Sequence, residues 1–215
     1  MTKSVVDLTH VIQTGMPVYP GTPPVRVAPL AVLDKDGFRE TSLVFSSHCG
    51  THVDAPAHML PGGRRLDDFA PETFMGTARC LHVDEAVVSA AWLQSRLAAK
   101  PNVDFLLFFT GWDRYWGRKE YFQGYPAIDA AAAARLAEYG LKGIGLDCPS
   151  PDAPEAVGYP AHQALFAADL LIIENLRGLD RLPESIFQLA LFPLLHAGGD
   201  GAPARVIALQ ALNKE

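Results

Sequence analysis

The stretch DAAAAARLAEYGLKGIGL, Asp129 to Leu146, reads as a helix that runs straight into a buried strand. Asp129 suits an N-cap, because its carboxylate can accept from the free amides of a first helical turn. The alanine run behind it has high helix propensity. Gly140 stands where a residue past a helix end takes the left-handed conformation. Gly143–Leu146 is then apolar without alternation, as in a strand covered on both faces. The same pairing recurs on either side. Upstream, Ser89–Ala99 carries apolar residues at helical spacing behind Ser89 as a cap, and Asp104–Phe109 (DFLLFF) is an apolar run of strand length. Downstream, Ala161–Ala168 reads as helix and Leu170–Glu174 as extended.

Towards the N-terminus the pattern is mostly β. Ser4–Ile12, Val25–Leu33, Glu40–Ser47 and Thr77–Val83 have strand composition, and Gln188–Leu195 and Ala204–Leu212 close the chain in the same way. Gly15–Pro24 (GMPVYPGTPP) holds four prolines and two glycines, so it is a rigid extended loop rather than a helix. A β-rich first half followed by alternating helices and strands predicts an α/β fold with one mixed sheet and helices packed around it. With 215 residues, 49% of them apolar, and no linker-like break, residues 1–215 are expected to form one domain.

Charge excludes some functions. Eighteen basic against 24 acidic residues give a net charge of −6, without a basic tract, so a nucleic-acid partner is not expected. The longest apolar runs, such as Leu170–Ile173 and Leu189–Leu195, are far below the roughly 20 residues that span a bilayer, so no membrane partner is expected either. The three cysteines form no C-x-x-C pair, and Asp7 and His10 interrupt the N-terminal stretch where a signal peptide needs an apolar core. A cytoplasmic protein is the expectation.

The chemistry is concentrated in Ser47–His58, SHCGTHVDAPAH, which holds three of the chain's seven histidines. His48, His52 and Asp54 are all even-numbered. If Ser46–Val53 continues the preceding strand, alternation sends all three to one face. A helix would pair His48 with His52, but Gly50, Asp54 and Pro56 oppose one. Two imidazoles and a carboxylate suit a divalent transition ion that keeps open positions for water. His58, past the Pro56 turn, is placed to move a proton rather than to ligate. A non-catalytic metal or small-ligand binding protein would close its shell with four ligands and need no spare histidine. Structural polar residues remain the plain alternative. Cys49 falls on the opposite face as a small apolar filler.

The motif H-x-G-T-H-x-D-x-P-x-H, carried as His48, Gly50, Thr51, His52, Asp54, Pro56 and His58, resembles the signature of the cyclase-like metal hydrolases, which include bacterial kynurenine formamidase and isatin hydrolase. The likeness extends to DLTH and GMPVYPG within Asp7–Gly21, to GLDCPSPD (Gly145–Asp152) and to AHQALFAADLLIIENL (Ala161–Leu176). It implies the cyclase/kynurenine formamidase type of fold and hydrolysis of a small (aryl)formamide, amide or lactam. It implies one or two zinc or manganese ions per chain, with Asp54 shared between His48 and His52 on one side and His162 and Glu174 on the other. His58 would be the catalytic proton shuttle, Tyr19 a substrate-binding residue, and the assembly a homodimer or homotetramer. Kynurenine formamidases commonly carry tryptophan where this chain has Tyr19, so an arylformamidase specific for N-formylkynurenine in tryptophan degradation stands as the alternative reading. Trp112 and Trp116 are candidates for an aromatic pocket or for core packing at i, i+4 spacing. His10 is a candidate to approach the site. His82, His196, Arg64 and Arg65 read as surface or structural residues.

Overall fold

A computed structural model of the chain describes residues 3–97 and 99–211. Twelve strands and four short helices follow one another in the order β1 (Lys3–Asp7), β2 (Arg26–Ala31), α1 (Leu33–Asp36), β3 (Glu40–Val44), β4 (His52–Asp54), β5 (Met75–His82), β6 (Val87–Val88), α2 (Ala90–Arg96), β7 (Phe105–Phe109), β8 (Ala127–Ile128), α3 (Ala130–Ala137), β9 (Gly143–Leu146), α4 (Pro160–Ala167), β10 (Leu171–Glu174), β11 (Phe187–Pro193) and β12 (Gly201–Ala211). The expected caps are in place: Ser89 Oγ accepts from Trp92 N, and Asp129 Oδ1 from Ala132 N. Ala98 and Leu212, at the ends of two expected elements, lie outside the described residues.

Eight strands form one mixed sheet in the order β1-β12-β11-β5-β7-β9-β10-β4, and β4 pairs with β12 as well, so the sheet closes on itself. The β5–β7, β7–β9 and β9–β10 pairs are parallel, while the others are antiparallel. Parallel neighbours need crossovers, and helices α2 and α3 supply two of them. Strand β7, FLLFF, shows why its sequence lacks alternation. Phe105 and Leu107 enter the core enclosed by the sheet, with Val53, Leu189 and Val206, whereas Leu106 and Phe108 pack outward under Leu93, Leu136 and Phe166 of the helices. Each face of the strand is covered. At about 25 cal/mol per Å² of buried apolar surface, these two cores supply the main drive to fold. No helix among the described residues is long and apolar enough to cross a membrane.

Some expectations need correction. The strand expected over Ser4–Ile12 ends at Asp7, whose Oδ1 accepts from Thr9 N and turns the chain. Residues Ser46–Val53 do not continue the preceding strand. β3 ends at Val44 and pairs only with β2 in a separate hairpin, and Gly50 at φ +63° breaks the extended path. Gly50 is needed there, since any Cβ would also lie 2.9 Å from Met16 Cε. The strand expected over Val25–Leu33 stops at Ala31. Val32 N donates to Asp36 Oδ2, and Gly37 at φ +77° ends the one-turn helix α1 in their place.

Candidate metal centre

Strand β4 sits between β10 and β12, and its register builds the site. His52 lies directly opposite Glu174, and Asp54 opposite both Ile172 and Gly201. Alternation sends Val53 into the enclosed core and His52 and Asp54 to the helix-covered side. His48 arrives from the turn before β4 and not by strand alternation. The result is the convergence expected, reached by another path: His48 Nδ1 is 2.6 Å and His52 Nε2 3.1 Å from Asp54 Oδ1. From the first turn of α4, His162 Nε2 comes within 3.4 Å of Glu174 Oε1 and 4.0 Å of Asp54 Oδ2. His58, at the end of the Pro56–His58 3₁₀ turn, lies against His48 with ring centroids 3.9 Å apart and planes tilted by 34°.

Asp54 therefore joins two groups, His48–His52–Asp54 and Asp54–His162–Glu174, and within each the donor atoms lie within 4.8 Å of one another. Asp54 Oδ2 is buried with no hydrogen-bond partner among the described residues. A buried carboxylate oxygen without a partner is costly unless a cation answers it. With His48 and His52 at Oδ1 and His162 on the side of Oδ2, nitrogen and carboxylate donors gather around this carboxylate and fit one or two divalent metal ions.

The surroundings orient the donors. His52 Nδ1 donates to Gly50 O at 2.8 Å, which leaves Nε2 as the ligating atom. Asn175 Nδ2 donates to the same carbonyl, and Tyr121 OH donates to Asn175 Oδ1. His162 Nδ1 pairs with Asp152 Oδ2 at 2.6 Å, and Asp152 also accepts from the Ala161 and His162 amides.

Electrostatics follow from the crowding. Burial disfavours the His48 cation, but Asp54 and Asp200 outweigh it and raise its pKa to about 9. Burial likewise opposes the His162 cation, and Asp152 and Glu174 prevail, again to about 9. Burial would raise Asp54, yet the His52 and His48 imidazoles hold it well below the usual carboxylate range. Glu174 is raised by burial and by the charge of Asp54. His58 is lowered to about 4, chiefly by burial, and so is neutral at neutral pH. A metal takes the imidazole lone pairs, so loading must expel protons from His48 and His162. Metal affinity is therefore expected to fall as pH drops below about 9. Calorimetric titration with zinc or manganese at pH 7, in buffers of different ionisation enthalpy, should show proton release. A buffer-independent heat would contradict it.

The site forms one end of a pocket of about 420 Å³ whose walls include Val18, Tyr19, Trp116 and Phe122. That volume suits a small molecule. Tyr19 stands at this wall, as its candidacy required, with its ring edge-on to Phe122. Only one of the two candidate tryptophans lines the pocket. Trp112 packs against the outer core and donates Nε1–H to Tyr121 O. His10 is buried behind Trp116, not in the pocket lining. Cys49 is a buried filler beside Met16 and Val25. Arg64 caps the Phe69 ring, His82 stacks on Phe109, and His196 Nε2 lies 3.1 Å from Gly201 O; none of them belongs to a donor group.

Asp200 is the site residue that sequence reasoning missed. Its Oδ2 lies 2.9 Å from His48 Nε2 and 3.8 Å from His58 Nδ1. In HAGGDG it looks like any acid in a glycine-rich turn, and only the β12–β4 pairing brings it here. The same pairing explains Gly201, where a Cβ would lie 2.5 Å from His48 Cε1. Gly201→Ala is expected to displace the His48 ring and weaken metal binding by about 10-fold, as loss of an outer-shell contact does. Equilibrium metal titration reads this, and unchanged affinity would show that the ring adjusts freely.

Comparison with known proteins agrees with this geometry. Residues 6–153 match the Cyclase family model. The kynurenine formamidase of Geobacillus thermodenitrificans is 30% identical over 202 residues, covering 93% of this chain and 94% of that protein. Isatin hydrolase A from Ralstonia solanacearum superposes with a TM-score of 0.85 at 26% identity, over 97% of this chain and 92% of that one. A structure described as a potential metal-dependent hydrolase with cyclase activity gives 0.82 at 28% identity, over 99% of this chain and all of that one.

Proposed function

The chain belongs to the Cyclase family, and from that premise we propose that it is a metal-dependent hydrolase of a small (aryl)formamide, amide or lactam, acting on a C–N bond other than a peptide bond. The observation that carries this reading is the buried Asp54 carboxylate, common to two donor groups and with its Oδ2 partnerless among the described residues, at the end of a pocket sized for a small molecule.

His48, His52 and Asp54 would hold one divalent ion, and Asp54, His162 and Glu174 a second. When bound, such an ion polarises a carbonyl and makes a neighbouring water acidic. The donor set suits zinc or manganese. His58 reaches the pocket from above His48 and stays neutral, so it is in the form that accepts a proton from the attacking water. It then returns that proton to the leaving nitrogen. Tyr19 and Trp116 flank the substrate. Asp200 lies beside both His48 and His58 and would help to orient the two rings.

The relatives called kynurenine formamidase and isatin hydrolase define the panel that tests the reading. Protein loaded with zinc or manganese, with metal counted per chain, should hydrolyse at least one of N-formylkynurenine, isatin and formanilide. Tyr19 in place of tryptophan favours a substrate other than N-formylkynurenine. Hydrolysis of none of the three by fully loaded protein would reject the proposal.

The β2–β3 hairpin leaves Leu30, Phe38, Leu43 and Val44 exposed. A cluster of that kind marks an interaction surface, and it supports a homodimer or homotetramer in which Gly15–Pro24 reaches across the interface. Light scattering should give a mass of two or four chains. Three free cysteines suit a reducing cytoplasm.

A further inference from the structure

His10 is buried, only 8% exposed, and belongs to none of the donor groups. Its ring lies flat on the indole of Trp116, with centroids 3.9 Å apart and planes 12° from parallel. Trp116 in turn lines the pocket. We infer that His10 is a positioning residue, whose imidazole backs the Trp116 indole and holds it as the flat wall on which an aryl substrate stacks.

Three observations converge on this role. First, His10 is itself fixed. Its backbone N–H donates to Thr51 Oγ1, and Thr51 donates to Asn175 O, so the backbone that carries the ring is tied to the frame of His52 and Glu174. Second, the indole has support on more than one side. Tyr121 meets Trp116 edge-on at 5.0 Å, and the loop is held at its base, where Asp147 accepts from the Thr110 and Gly111 amides. Asp113 Oδ2 accepts from Gly178 N and anchors the turn before Trp116. Third, His10 uses its face and not its nitrogens. Nε2 is buried without a hydrogen-bond partner among the described residues. Burial and the nearby Arg177 charge lower the pKa to about 4, so the ring is neutral and the contact is a stack of two neutral rings. A buried, partnerless imidazole costs stability relative to a phenyl ring of similar shape. Its flat contact with a pocket wall is the feature that gives this position a role.

The identity of the substrate rests on the amide-hydrolase reading, so the test has an arm that does not. With metal-loaded protein and formanilide, His10→Ala is expected to raise KM about fivefold with a much smaller change in kcat, because ring stacking is what is lost. His10→Phe should bring KM back to within about twofold of the parent, since phenyl offers the same face. N-Cyclohexylformamide, similar in bulk but not flat, should respond less to either change. Calorimetric binding of benzamide to the same proteins should weaken about fivefold in His10→Ala and recover in His10→Phe. Benzamide binding with this pattern but no turnover would count against the hydrolase reading alone. The inference is overturned if His10→Phe is no better than His10→Ala, if aryl and cyclohexyl ligands suffer alike, or if the parent binds no aryl ligand.

Discussion

His58→Ala is expected to keep its metal and to lose turnover by about 10²- to 10⁴-fold, the usual contribution of a positioned general acid–base group. The two donor groups built on Asp54 are complete without His58. His58 is nevertheless close to both: its ring is 3.9 Å from that of His48 and 6.2 Å from that of His162, centroid to centroid. It lines the pocket, and it is neutral at neutral pH because burial holds it near 4. A neutral imidazole facing the reacting carbonyl can take a proton and give it back. Metal counting and steady-state kinetics on the same preparation decide the matter. Near-parental turnover would remove the proton-shuttle role. Loss of metal would instead make His58 a ligand, in the alternative grouping with His48 and Asp200.

Asp54→Asn should have the largest effect of any single change, because it removes the carboxylate common to both groups. Metal affinity at both positions is expected to fall by more than the about 10–100-fold typical of outer-shell changes, and turnover with it. Glu174→Gln leaves His48, His52 and Asp54 intact and should retain one ion per chain. The metal-free fold should suffer as well. Asp54 is buried between His48 and His52, whose cations it stabilises. Breaking a buried ion pair from one side costs about 3–5 kcal/mol. Chelated parent and chelated variant, compared by thermal denaturation, isolate that cost, while elemental analysis of the folded variant measures the lost sites. Two ions per chain in Asp54→Asn would refute the bridging role.

Much of this centre was legible beforehand. The even spacing of His48, His52 and Asp54 pointed to convergence, although only His52 and Asp54 share a strand and His48 lies in the turn before it. Gly50 turns the backbone and still delivers His48 to the same carboxylate oxygen. The ligand roles of His162 and Glu174 came from resemblance, although a lone Glu174 after Leu170–Ile173 already called for a metal or a cationic partner, since an unpaired buried carboxylate is costly. His162, at a helix start, has no local pattern that marks a ligand. Glu174 gains its meaning from register, opposite His52. Asp200 had no signal in its own surroundings. The pocket wall was half legible: Trp112 and Trp116 are equivalent as sequence, but one donates to Tyr121 O under the outer core and the other faces the cavity.

Local chemistry therefore determined the elements and the nature of the centre. Caps at Ser89 and Asp129, the unalternating apolar run of β7 and the histidine-rich motif are short-range features, and short-range interactions decide them. Tertiary structure alone decided which distant groups complete the site. Strand β4 is only three residues long and pairs on both edges, with β10 and with β12. Hydrogen-bond register between those strands places Glu174, Asp200 and Gly201 around His48, His52 and Asp54, and side-chain stacking places His10 behind Trp116. Pairing and stacking between segments far apart in the chain depend on closure of the whole sheet, which no window of sequence contains.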